Sequence, residues 1–345
     1  MDSLKNKQVG IWLLIGVAMI LFQIVLGGIT RLTGSGLSIT EWQPILGVLP
    51  PMNLEDWNKA FDAYKKFPQY ELVNQSMTLS QFKTIFFWEY LHRLWARSLG
   101  IVFLIPFIYF LVKRYISLKE IPKFLLVFIL GGLQAAVGWI MVASGLVEMP
   151  WVEPTNLSLH LLLATVLLVF VFRLALEKLT PKESKYYPKY IRGTIFFLFL
   201  LILVQIGLGG MVAGWKAALT YPTFPKMNGE WIPKDIMSME PLWKNFLENK
   251  GTLQFSHRIT AFIILFYVVF IYFKSQNMPV PKLFKRGRHV MLVICIIQIL
   301  LGITTLLLSK SGHIPVYFGV MHQFCAFLLL LSTVALHYWF KFKVE

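Results

Sequence analysis

A chain of 345 residues with 57% hydrophobic and only 14% charged side chains is too apolar for a water-soluble globule, in which about a quarter of residues are charged. A net charge of +16 raises nucleic acid as a partner, but the distribution of charge excludes it. The amino tail, every second loop and the carboxyl tail, with the helix ends that meet them, carry 19 Lys or Arg against 5 acids, and the opposite loops carry 11 against 11. This is the positive-inside pattern of a polytopic membrane protein, with both termini cytoplasmic and basic segments facing the inner leaflet of the lipid bilayer.

Apolar runs long enough to cross a hydrocarbon layer, about 20 residues each, fall near 10–29, 86–112, 124–144, 157–176, 193–213, 252–273, 289–309 and 316–340. The first is a full span without a small-residue cleavage site, so it is read as a helix and not as a signal peptide. It ends in Gln23, three apolar residues and Gly27, and the same signature recurs in each odd span: Gln134 with Gly138, Gln205 with Gly209, Gln298 with Gly302. Such a repeat fits close helix packing with glutamine bonding across the bundle, or small residues making room for a large flat ligand.

The first outer loop, 31–85, is too long for a mere connector. In it Trp57, Phe61 and Tyr64, with Asp56, Lys59, Asp62 and Lys65 between them, predict an amphipathic helix over 57–67 lying on the membrane interface. Phe224, Pro225, Gly229, Trp231 and Pro233 give the loop after the fifth span the turn chemistry of a rigid lid. Inner loops such as 282–288 are short and basic. Cys295 and Cys325 fall within spans seven and eight and read as small core residues.

Even spans each begin with a histidine: His92, His160, His257 and His322. One such histidine usually bonds a neighbouring helix, but four at matched depth suggest metal ligation. Imidazole is the common axial ligand of haem iron, and facing helices of a four-helix bundle bring two together. The pairs are then His92 with His160, and His257 with His322. Corresponding residues are separated by 182 (Gln23 to Gln205), 165 (His92 to His257), 164 (Gln134 to Gln298) and 162 (His160 to His322). The expected fold is therefore all-α: eight transmembrane helices as two four-helix bundles, 1–180 and 181–345, related by a pseudo-twofold along the membrane normal. Arg93 and Arg258 follow their histidines and suit haem propionates, or snorkelling to the headgroups. Glu89 stands three residues before His92, on the same helix face, where the second half has Gln254. Only the first half thus carries an acid beside its site, and an acid at membrane depth is functional by default.

The run Gly27, Thr30–Thr33, Ser35–Leu37, Glu41, Trp42 and Pro44, with Glu89, His92, Arg93, the segment 224–233 and the later histidines, resembles the signature of haem A synthases along essentially the whole chain. Length and first-loop content resemble the longer branch that includes the mitochondrial enzymes. Some bacterial members carry a cysteine pair in the first outer loop, and this sequence has none there. The resemblance implies a cell (inner) membrane oxidoreductase that converts a ring methyl of haem O to a formyl group. It implies His257 and His322 as ligands of a permanent haem b beside Arg258, substrate haem O between His92 and His160 beside Arg93, and Glu89 as the catalytic group. It also implies supply by a haem O synthase, delivery of haem A to terminal oxidase assembly, and an unidentified electron acceptor. The rival expectation is a diheme b-type electron-transfer protein, with two permanent haems and no chemistry on either; a repeat-built transporter would keep its polar site at the bilayer midplane instead.

Overall fold

Backbone groups in hydrocarbon have no water to bond, so a single chain satisfies them by winding into helices. In the computed structural model, which describes residues 2–40, 49–147, 149–180, 189–278, 280 and 282–339, ten α-helices form and the described residues contain no strand. They are α1 (Asp2–Leu32), α2 (Leu54–Tyr64), α3 (Pro68–Val73), α4 (Leu79–Val112), α5 (Ile121–Ser144), α6 (Pro154–Leu179), α7 (Lys189–Gly214), α8 (Lys250–Lys274), α9 (Lys282–Leu308) and α10 (Val316–Trp339). All except α2 and α3 are long and apolar enough to cross a membrane, so the eight predicted spans are helices of a multi-pass membrane protein.

Within the first four spans α1 packs on α4 and α6, and α5 packs on α6; in the last four, α7 packs on α8 and α10, and α9 on α10. The two sets meet through α6 against α7, α1 against α10 and α6 against α10. A buried apolar core led by Trp12, Leu168, Leu198, Val268 and Leu330 runs through both. The lipid-facing helices α4, α5, α8 and α9 leave residues such as Ile105, Ile129, Phe266 and Leu300 exposed, as a hydrocarbon solvent permits. Pro106, inside α4, lacks the N–H that would bond the Val102 carbonyl. Trp12 of α1 supplies the missing donor, its Nε1 reaching that carbonyl at 3.0 Å.

Four expectations need correction. The second span starts at Leu79, not near 86, because Thr78 and Gln81 form a capping box two turns earlier; His92 consequently stands almost four turns into its helix. The amphipathic helix expected over 57–67 runs instead over Leu54–Tyr64, capped by Asn53, and a separate helix, α3, follows from Pro68. The aromatic side of α2 meets Phe82 and Phe86 of α4 and buries Phe61 and Tyr64 there, so it caps the bundle. Residues 282–288 form the first turns of α9, and Arg288 is buried against Ser275 Oγ at 3.1 Å. Arg31 belongs to the last turn of α1. Glu41, Trp42, Pro44 and Gly47 lie outside the described residues.

Candidate functional site

Glutamine and glycine four residues apart share one helix face, and in each odd span that face meets a histidine. Gln23 of α1 sets its Nε2 3.2 and 3.1 Å from the two ring nitrogens of His92 and 3.1 Å from the His92 carbonyl. Gln134 of α5 stands likewise against His160, with distances of 3.2, 3.2 and 3.1 Å. Gln205 of α7 reaches the His257 ring at 3.3 Å and its carbonyl at 3.0 Å, and Gln298 of α9 lies 3.1 and 3.3 Å from the His322 ring nitrogens. The glycines make room for the same rings. A Cβ at Gly27, Gly138, Gly209 or Gly302 would stand 3.2, 2.8, 3.3 or 2.8 Å from the facing histidine Cε1. Both sequence readings of the signature thus merge, since the small residue makes room for an imidazole and the glutamine holds it.

All four histidines, together with Glu89, Arg93 and Arg258, line one cavity of about 1220 Å³ that runs between the two sets of helices. Single-ligand pockets span about 300–1,000 Å³, so this one has room for more than one ordinary ligand. His257 and His322 have ring centroids 6.4 Å apart with planes at 67°. A metal held at about 2 Å from one nitrogen of each ring puts the centroids roughly 6 Å apart, so this pair fits a single shared ion. His322 Nδ1 lies 3.0 Å from the Gln298 carbonyl, a bond that leaves Nε2 for ligation. His313 is exposed, bonds Ser311 at 3.1 Å, and does not line the cavity.

Each set of helices is covered at one end by a lid held through an arginine. Arg93 donates to the Ile39 carbonyl at 2.9 Å, and Arg258 donates to the Tyr221 carbonyl at 3.0 Å. Ile39 and Tyr221 are 182 residues apart, the same separation as Gln23 and Gln205. The neighbouring side chain differs in kind. Glu89 is buried, and its Oε2 accepts from Ser38 N–H at 2.7 Å, Ser38 Oγ at 2.7 Å and Ile39 N–H at 2.9 Å. Its Oε1 takes Arg93 Nη2 at 2.6 Å. Gln254 instead donates to the Tyr221 carbonyl at 3.3 Å.

Sequence reasoning gave no role to three contributors. Ser38 and Ile39 act on Glu89 mainly through backbone N–H groups, which every residue has. Arg31 crosses to the other set, donating to the Ala213 and Gly214 carbonyls at 2.9 Å each. Those carbonyls end α7, where Ala213 also accepts the Lys216 N–H at 3.2 Å, and no residue pattern at position 31 announces the contact.

Comparison with known proteins bears on the whole chain. The family model described as cytochrome oxidase assembly protein matches residues 10–334. A haem A synthase of Nitrosospira multiformis is 41% identical over 334 residues, covering 96% of this chain and 92% of that protein. One from Nitrosomonas eutropha is 42% identical, with 96% and 93% covered, and one from Wolbachia pipientis is 41% identical, with 96% and 92% covered.

Proposed function

The chain belongs to the family of cytochrome oxidase assembly proteins, and from that premise we propose that it is a haem A synthase, oxidising a ring methyl of haem O to a formyl group for use in terminal oxidases. One observation carries the reading. The two sets of helices share the glutamine–histidine–glycine contacts and the arginine-held lid, and they differ at Glu89 against Gln254. Two equal electron-carrying sites would have no use for that difference, whereas a substrate site beside a relay site would.

In this reading residues 1–180 hold the substrate and residues 181–345 hold a haem b, the two halves being related by a pseudo-twofold. His257 and His322 would ligate the haem b iron, and their 6.4 Å centroid separation supports the assignment. When bound there, haem b supplies one-electron redox capacity, tuned by its axial ligands and their hydrogen bonds. His92 and His160 would ligate the substrate iron. Arg93 and Arg258 each donate to a lid carbonyl and line the cavity, where a guanidinium also suits a propionate.

Glu89 has two conceivable duties beside the reacting methyl: accepting a proton or stabilising positive charge. Its four donors favour the second, because they hold the carboxyl group in one orientation with an arginine and three N–H or O–H groups around it. A buried carboxylate fixed in this way is a preorganised counter-charge, which needs no reorganisation as charge develops. Basic inner segments support a location in the cell membrane with both termini cytoplasmic, haem O arriving from a haem O synthase and electrons leaving to an acceptor yet to be identified. Expression in a host that makes haem O but no haem A tests the function. Haem A in the extracted pigments is the expected result, and its absence despite correctly inserted protein would overturn the proposal.

A further inference from the structure

Each of four side-chain amides packs against one of the four histidine rings, although none of them ligates a metal or holds a lid. For Gln23, Gln134 and Gln298 the amide nitrogen is nearly equidistant from both ring nitrogens. In the ring plane such a point would fall on the Cε1–H group, so the amide lies against the face of the ring and not at either lone pair. Gln23, Gln134 and Gln205 also donate to the backbone carbonyl of the histidine they touch. In those three the amide therefore ties ring to backbone and blocks rotation about the histidine side chain, while glycine one turn later leaves room for Cε1.

This arrangement leaves Oε1 of all four glutamines buried without a hydrogen-bond partner. An orphaned buried acceptor costs about 1–3 kcal/mol, and a leucine would fill the same volume between helices without that cost. Packing alone does not account for four such groups, whereas the hold on the ring face does. We infer that Gln23, Gln134, Gln205 and Gln298 are positioning residues that fix the plane of each iron-ligating imidazole. They leave a nitrogen available to the metal, Nε2 of His322 and Nδ1 of His257 for example, and set the angle between paired rings, 67° for His257 and His322. The inference rests on the haem reading above and extends it to residues that never touch the iron.

The angle between axial imidazole planes determines the g-values of a low-spin ferric haem, which gives a readout independent of turnover. The purified full-length protein is compared with Gln205→Leu and Gln298→Leu by low-temperature electron paramagnetic resonance and by haem b content. Shifted, broadened low-spin g-values are expected in both variants, with haem affinity lowered by about 10- to 100-fold. If Gln205→Leu does not accumulate, Gln205→Asn, polar but one methylene too short to reach the ring, is expected to show the same shift. Parental g-values and affinity in variants that do accumulate would overturn the inference while leaving the haem assignment intact. A parent protein with no bis-histidine signal would overturn the haem b assignment, and this inference with it.

Discussion

At Glu89 the partners decide what a substitution does. Both carboxylate oxygens face donors only, so an amide in that place turns one acceptor into a donor that confronts either Arg93 or the Ser38 and Ile39 N–H groups. Glu89→Gln is expected to retain bound haem yet lower haem A formation by at least about 100-fold, measured by pigment extraction; normal product would remove Glu89 from the chemistry. Gly302→Ala places a Cβ 2.8 Å from His322 Cε1 and should displace that ring. Loss of haem b and a stability cost of about 1–3 kcal/mol are expected by absorption and thermal denaturation. Gly193→Ala, inside α7, meets nothing within 4 Å and should be stabilising by about 0.5–1 kcal/mol, so equal behaviour of the two variants would refute the contact. Histidine, glutamine and glycine were legible in the sequence because their spacing repeats. The donors to Glu89 were not, since they are chiefly backbone groups 50 and 51 residues away.

The long apolar helices could be read from composition, because hydrocarbon leaves the backbone so few alternatives. The elements outside it could not, and α2 illustrates why. Its alternation of aromatic and charged residues fits a membrane surface as well as a protein surface, and only the extra turns of α4, with Phe82 and Phe86, decide for the latter. Phe82 is fully buried against Phe61 and Tyr64, so Phe82→Ala should cost the cap about 3–5 kcal/mol. Limited proteolysis should then cut the first outer loop faster while the spans stay intact, and unchanged cleavage would contradict the packing. The second lid depends on a tyrosine. Burial, and then the hydrogen bond to Asp235, push the Tyr221 hydroxyl up to about 12 from an ordinary 10. A raised value favours the protonated form in the folded lid, so this contribution is complete below about pH 10 and disappears as the pH passes about 12. Protection from exchange in 220–240, corrected for the base-catalysed rise of the intrinsic rate, should fall across that window, and Tyr221→Phe should abolish that fall.

For the molecule as a whole, the two sets of helices are joined by polar contacts as well as by packing. Arg31 of α1 bonds the last carbonyls of α7, and Gln323 of α10 donates to the Ile24 carbonyl of α1 at 3.0 Å. Arg31→Met removes the side-chain donor from both carbonyls, leaving Ala213 with the Lys216 N–H, and should lower thermal stability by about 1.5–3 kcal/mol; an unchanged melting profile would show that Arg31 contributes nothing to the joint. The internal repeat was visible in the sequence as matched separations, whereas the merging of both sites into one cavity was not, because it depends on how α6, α7, α1 and α10 cross. That single cavity, lined by an acid from one set of helices and a glutamine from the other, is the basis for assigning different duties to two similar halves. The most direct test is the identity of the haems extracted from the purified protein, produced where haem O is available, together with a His322→Ala variant. The account predicts haem b accompanied by haem O and haem A, with haem b alone lost in the variant. Haem b as the sole pigment, filling both halves, would contradict it.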